Sequence, residues 1–168
     1  MTNSTGIADF TIKPATKKDV PVILSFITKL ADYERLSHEV VASEELLQRT
    51  LFGARRTAEV VIGYYNDEPV GFGLFFHNFS TFLGRPGIFI EDLFVEENYR
   101  RRGFGGALLV HIAKLAAARG CGRLEWSVLD WNEPAINFYK KLGAMPMKEW
   151  TVFRLTGERL DRLAGRPR

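Results

Sequence analysis

The stretch EDLFVEENYRRRGFGGALL, residues 91 to 109, decides how this chain is read. It carries the end of an apolar, aromatic run, Ile88 to Val95, through three arginines, Arg100, Arg101 and Arg102, to Gly103, Gly105 and Gly106. Apolar residues at helical spacing follow. A strand that passes through a glycine turn into a helix leaves main-chain N–H groups without partners, and the helix dipole adds partial positive charge there. Phosphate suits that place, because glycine lets a pyrophosphate reach the backbone and arginine screens its charge. A Walker loop needs Lys-Ser/Thr after its last glycine, whereas Ala107 and Leu108 follow Gly106. A dinucleotide fingerprint needs a glycine where Leu108 stands, although Glu125 lies at a distance that suits a ribose contact. The plainer alternative is a solvated basic turn that merely starts a helix.

Working outward from this stretch, Leu108, Leu109, Ile112, Leu115 and Ala116 predict an amphipathic helix ended by Gly120 and Gly122. Residues 123–129 alternate as a strand, so strand 88–95, the helix and strand 123–129 form a crossover that requires parallel pairing. Upstream, 58–65 and 70–79 are β-branched and aromatic runs joined by Asn66 to Pro69, which predicts an antiparallel hairpin. Phe10 to Lys13 reads as a short strand. Thr16 and Asp19 form a capping box before Val20, Ile23, Leu24, Ile27, Leu30 and Ala31, the expected inner face of a first helix. Ser43 with Glu44 and Glu45 starts a second helix that runs to Gly53. Asn132 caps a short helix from Pro134 to Gly143, and 149–155 alternates as a last strand. The order βααβββαβαβ implies an α+β fold with a mixed sheet. Residues 1–9 are expected to be a loose tail and 10–168 a single domain.

Composition narrows the function classes. A chain of 168 residues with 46% hydrophobic and 26% charged residues suits one globular domain, and its apolar runs are too short to span a bilayer. MTNSTGIADF has no basic region followed by an apolar one, so a cytoplasmic protein is expected, with no membrane partner. Cys121 is the one cysteine, which excludes an intramolecular disulfide and any multi-thiolate metal site. His38, His77 and His111 are scattered without ligand spacing, so no metal and no histidine triad is expected. A net charge of +3 does not imply nucleic acid, and the arginine run lacks interleaved aromatics.

Two segments together carry a resemblance. Arg100-x-x-Gly103-x-Gly105 after a strand resembles the acetyl-CoA pyrophosphate loop of the GNAT N-acetyltransferases, which has Gln or Arg, then Gly, then Gly or Ala at those intervals. WNEPAINFYKKLGA, residues 131–144, resembles the family's later segment, in which an Asn precedes a short helix with a Tyr near its end. IKPAT near the start, LADYE at 30–34 and IEDLFV at 90–95 extend the resemblance to the diamine (spermidine/spermine) and thialysine acetyltransferase branch, over Ile12 to Leu155. The resemblance implies the GNAT fold, a mixed and mostly antiparallel sheet splayed between the parallel strands 88–95 and 123–129, flanked by helices. It implies acetyl-CoA as cosubstrate, a small amine as acceptor and a homodimer, for which the apolar stretch Val152 to Leu163 offers a contact.

The same resemblance assigns roles. Pantetheine would pair with backbone at Leu93, Phe94 and Val95, and the Val95 N–H would polarise the thioester carbonyl. The pyrophosphate would lie on Arg100, Arg101, Arg102, Gly103, Phe104, Gly105 and Gly106, with further cofactor contacts from Asn132, Pro134, Ala135 and Tyr139. Tyr139 matches the family's acid for the leaving thiolate, since a phenol with pKa about 10 can donate near neutral pH to a thiolate whose acid has pKa about 8.5. As residues alone, Asn132 can be a plain cap and Tyr139 a core aromatic sharing a face with Ile136 and Leu142. An alkyl ammonium has pKa near 10.4, so a base must take its proton, and Glu91 is the candidate. Alternation puts Glu91 and Asp92 on opposite faces, so one of them at most meets the substrate. Tyr33 and Glu34 match the branch's amine-binding pair, with Asp92, Trp126 and Glu149 as further candidates. Glu149 matches less well because the segment before it is shorter than the branch pattern. Two other functions stay open on sequence grounds: acetylation of a protein lysine or N-terminus, and non-catalytic binding of acetyl-CoA or nucleic acid. Which amine is used, and whether Glu91 or a water chain takes the proton, is not written in the sequence.

Overall fold

The computed structural model describes residues 3–4 and 6–166, laid out as two compact units, 1–129 and 130–168. Of the expected tail 1–9, residues 1, 2 and 5 lie outside the described residues, and Asn3–Ser4 form a short strand, β1. The first unit then runs β2 (Phe10–Pro14), α1 (Val20–Glu34), α2 (Glu44–Phe52), β3 (Glu59–Tyr65), β4 (Glu68–Ser80), β5 (Arg85–Val95), α3 (Phe104–Ala118) and β6 (Leu124–Trp126). The sheet order is β1-β2-β3-β4-β5-β6, antiparallel up to β5 and parallel between β5 and β6. This is the α+β mixed sheet expected from the sequence.

Local chemistry sets the joints. Asp19 Oδ2 accepts from Thr16 N–H at 2.7 Å ahead of α1, and Ser43 Oγ accepts from Leu46 N–H at 3.2 Å to start α2. Asn66 and Asp67 both take positive φ, 50° and 62°, which is the two-residue turn that matches strand twist. The hairpin is therefore tighter than the sequence suggested, with Glu68 and Pro69 already inside β4.

One sheet face packs α1 and α2, where Val20, Ile23, Phe26, Leu47, Leu51, Ile62, Phe72 and Phe94 form a buried cluster. Phe26 belongs to this core although the predicted face omitted it, while Ile27 and Leu30 are half-buried. The other face packs α3, whose Phe104 ring stacks on Phe10 at 4.1 Å. Two glycines make room on that face: a Cβ at Gly63 would lie 2.7 Å from Cζ of Phe10, the ring that stacks on Phe104, and one at Gly73 would lie 2.8 Å from Ile112 Cδ1 of α3.

β6 is shorter than the expected 123–129 and pairs only with Ile88, Phe89 and Ile90. From Glu91 onward, the edge of β5 turned away from β4 has no strand partner among the described residues. In the second unit, α4 spans Glu133–Lys141 and α5 spans Gly157–Leu163. The predicted strand 149–155 is a correction: the segment is exposed and belongs to no strand among the described residues, and α5 follows where no helix was expected. Alternation is a local signal, but a strand exists only by pairing with another edge. Val152 and Phe153 are accordingly 80% and 92% exposed.

Candidate active site

The glycine turn opens α3 as the sequence suggested. Gly103 sits before the helix at φ 84°, a conformation that side chains resist, and among the described residues no side chain caps the helix end. The first i→i−4 bond there runs from Ala107 N–H to Gly103 O at 2.9 Å. The N–H groups of Phe104, Gly105 and Gly106 therefore precede the helical hydrogen-bond ladder. Nothing in the described residues forces a glycine at 105, since a Cβ there would meet Val95 Cγ2 at 3.8 Å, an ordinary contact. The leading N–H groups and the room over Gly105 have the chemistry that fits a pyrophosphate. Phe104 is 2% exposed, so it offers that group its main chain while its ring anchors the helix.

The three arginines take different places. Arg100 Nε donates to Val95 O at 3.0 Å, and its guanidinium lies 4.5 Å from the centroid of the Tyr33 ring. Arg102 lies 5.5 Å from Tyr65 and 5.4 Å from Tyr99. Arg101, at φ 63°, is exposed. Tyr33 and Tyr65 come to these arginines from other elements, while Tyr99 directly precedes Arg100.

The carboxylates are sorted by a register shift. Leu74 pairs with Asp92 and Phe75 with Ile90, which leaves Glu91 without a partner across the strand. Glu91 is exposed, whereas Asp92 is half-buried. By the period of two, Asp92 lies on the side of Phe94, whose ring is 5.9 Å from Phe26 of α1. Burial pushes the Asp92 carboxyl up to about 6, and the charges of Glu91 and Glu34 push the same way. Burial also raises Glu34. α1 ends just beyond Glu34, at Arg35, which takes φ 62° and returns its N–H to Ala31 O and Asp32 O. Tyr33, Glu34, Asp92, Phe94, Val95 and Arg100 thus converge where α1 and β5 end. Trp126, half-buried on β6, stands opposite Ile90, midway along β5 and two residues before Asp92.

In the second unit, Asn132 is buried and its Oδ1 accepts from Ala135 N–H at 3.3 Å, with Pro134 in the first turn of α4. Tyr139 is half-buried near the end of α4, its ring 5.2 Å from Phe138. Glu149 is exposed in the unpaired segment. Trp131 and Trp150 are 49% and 69% exposed. Among the described residues, no group of three or more His, Cys, Asp or Glu could hold a metal ion, and no helix is long and apolar enough to cross a membrane.

Sequence reasoning missed the Tyr33–Arg100 stack, the tie from Lys29 to Glu96, and the register shift that leaves Glu91 exposed and Asp92 half-buried.

Residues 27–144 match the sequence profile described as Acetyltransferase (GNAT) family. The chain is 37% identical to an L-ornithine N5-acetyltransferase of Arabidopsis thaliana, over 95% of this chain and 90% of that protein. It is 36% identical to a thialysine N-epsilon-acetyltransferase of Mus musculus, over 95% of this chain and all 100% of that one. Among solved structures, an integron cassette protein from the mobile metagenome of V. cholerae superposes with a TM-score of 0.78 at 28% identity, covering 93% of this chain and 98% of that one.

Proposed function

The chain belongs to the acetyltransferase (GNAT) family and is an N-acetyltransferase, and from that premise we propose that it moves the acetyl group of acetyl-CoA directly to a primary amine of a small cation. A diamine, a polyamine or a thialysine-like amino acid fits. The observation that carries this reading is the pair Glu34 and Asp92 beside the open edge of β5, next to a helix end suited to a pyrophosphate.

In this reading, residues 93–95 of β5 hold the pantetheine arm as an added strand, and the Val95 N–H polarises the thioester carbonyl. Tyr33 and Glu34 hold the ammonium, and Asp92 takes its proton, because a carboxyl of pKa about 6 is ionised at pH 7 yet more basic than an ordinary aspartate. Glu91, the base anticipated from the sequence, contributes by its charge, which raises Asp92. The amine nitrogen then bonds to the carbonyl carbon, the C–S bond breaks, and Tyr139 supplies the proton to the departing thiolate. Asn132, Pro134 and Ala135 support the cofactor from the start of α4. Residues 10–168 act as one domain in a cytoplasmic homodimer, and the exposed apolar segment from Val152 onward supports the dimer.

Rates of CoA release with equal concentrations of free diamines, thialysine, ornithine and lysine-containing peptides test the proposal. A free amine is expected to exceed every peptide by at least about tenfold; peptides at equal rates would refute the small-amine reading.

A further inference from the structure

Two contacts tie the end of α1 to the turn that precedes the glycines. Lys29 Nζ donates to Glu96 Oε1. One helical turn further along, the Arg100 guanidinium lies over the Tyr33 ring at 4.5 Å. Arg100 is held from its other side by the bond from Nε to Val95 O at 3.0 Å, with the Phe94 ring centroid 5.7 Å away. A planar guanidinium can stack on a ring face while its in-plane N–H donates, which an ammonium cannot do. The main chain of Arg100 belongs to the turn leading into the phosphate-holding helix end, while its side chain fixes Tyr33, the residue next to Glu34.

We infer that Arg100 is a positioning residue that couples the two substrates: when the turn closes on the CoA pyrophosphate, the Arg100 side chain sets Tyr33 and so shapes the amine-binding end of α1. The inference rests on the amine site proposed above. It also accounts for an arginine whose guanidinium is turned toward the end of β5 and a tyrosine. By linkage the effect is reciprocal, so an amine bound at Tyr33 and Glu34 must tighten CoA by the same factor that CoA tightens the amine.

The test is calorimetric titration of CoA, an unreactive product, with and without saturating thialysine. In the wild-type protein the amine is expected to tighten CoA by about fivefold or more, the lower end of ordinary couplings. Arg100→Gln keeps a residue type that the loop pattern accepts but removes the stack, and the ratio is expected to fall below about twofold. Arg100→Lys retains a cation over Tyr33 without the planar fork and is expected to fall between. In steady state, R100Q is expected to raise the KM for the amine at least about fivefold while kcat changes less than about threefold. If Arg100 only screened phosphate, R100Q would weaken CoA equally in both titrations and leave the ratio at its wild-type value. That result, or a wild-type ratio of one in a protein that does acetylate amines, overturns the inference. Should R100Q fail to fold, Tyr33→Leu removes the other half of the stack and is expected to abolish the ratio; retention of the ratio would again overturn it. A wild-type protein that acetylates no amine refutes the functional reading itself, and the coupling with it.

Discussion

Replacing Asp92 with asparagine should make the protein more stable and less active. The carboxyl is raised to about 6 by burial first and by Glu91 and Glu34 second. An unfolded aspartate has a pKa near 3.9, so the folded state holds a proton that the unfolded state releases between roughly pH 4 and 6. Stability is therefore lost as pH rises through that window, and the ionised form carries the full penalty above it. About two pKa units correspond to ~3 kcal/mol, of which ~2 kcal/mol is expected after discounting for partial exposure. An amide at this position has no charge to desolvate, so D92N should gain about 2 kcal/mol at pH 8, or about 4 to 8 °C in Tm for a chain of this size. At pH 4 the two proteins should melt together. Thermal unfolding at both pH values measures this directly, and kcat/KM for the amine should fall at least about tenfold in the same variant. A variant that melts at or below the wild-type temperature at pH 8 would refute the reasoning, because Asp92 would then not be carrying a buried charge.

Other outcomes follow from the same geometry. The wild-type pH profile of kcat/KM should rise through about pH 6 as Asp92 ionises, and a profile flat from pH 5 to 7 would remove Asp92 from the reaction. Tyr139→Phe should lower kcat by roughly 10²- to 10⁴-fold, and a loss under about threefold in a coupled CoA-release assay would exclude the phenol as the acid. Phe104→Ala should cost about 3 to 5 kcal/mol by denaturant titration, since the ring is 2% exposed and stacked on Phe10; a loss below ~1 kcal/mol would mean that α3 is not anchored there.

Much of the fold was legible because its joints are made by neighbours in sequence. Thr16 with Asp19, Ser43 with Leu46, Asn66 with Asp67, and Asn132 with Ala135 each act across one to three residues, so their chemistry can be read from the chain. The glycine turn was legible for the same reason. What was not legible is decided by a partner from elsewhere in the chain. Residues 149–155 alternate like a strand but pair with no edge among the described residues, and β6 stops at Trp126 where its pairing with Ile90 ends. The different exposure of Glu91 and Asp92 follows a register shift against β4, set by Leu74 and Phe75 across the sheet. The stack of Arg100 on Tyr33 was not legible because Tyr33 lies 67 positions earlier in the chain.

In the proposed reaction, the main-chain N–H groups at the start of α3 hold the pyrophosphate of CoA. Calorimetric titration of CoA into the wild-type protein and into Gly105→Val tests it most directly. A Cβ at 105 meets only an ordinary contact within the protein, so the valine variant should fold, yet its branched side chain would stand over the phosphate position. The account predicts saturable binding to the wild type and a loss of at least about tenfold in the variant, with the melting temperature little changed. No heat with the wild type, or equal affinity in both proteins, would contradict it.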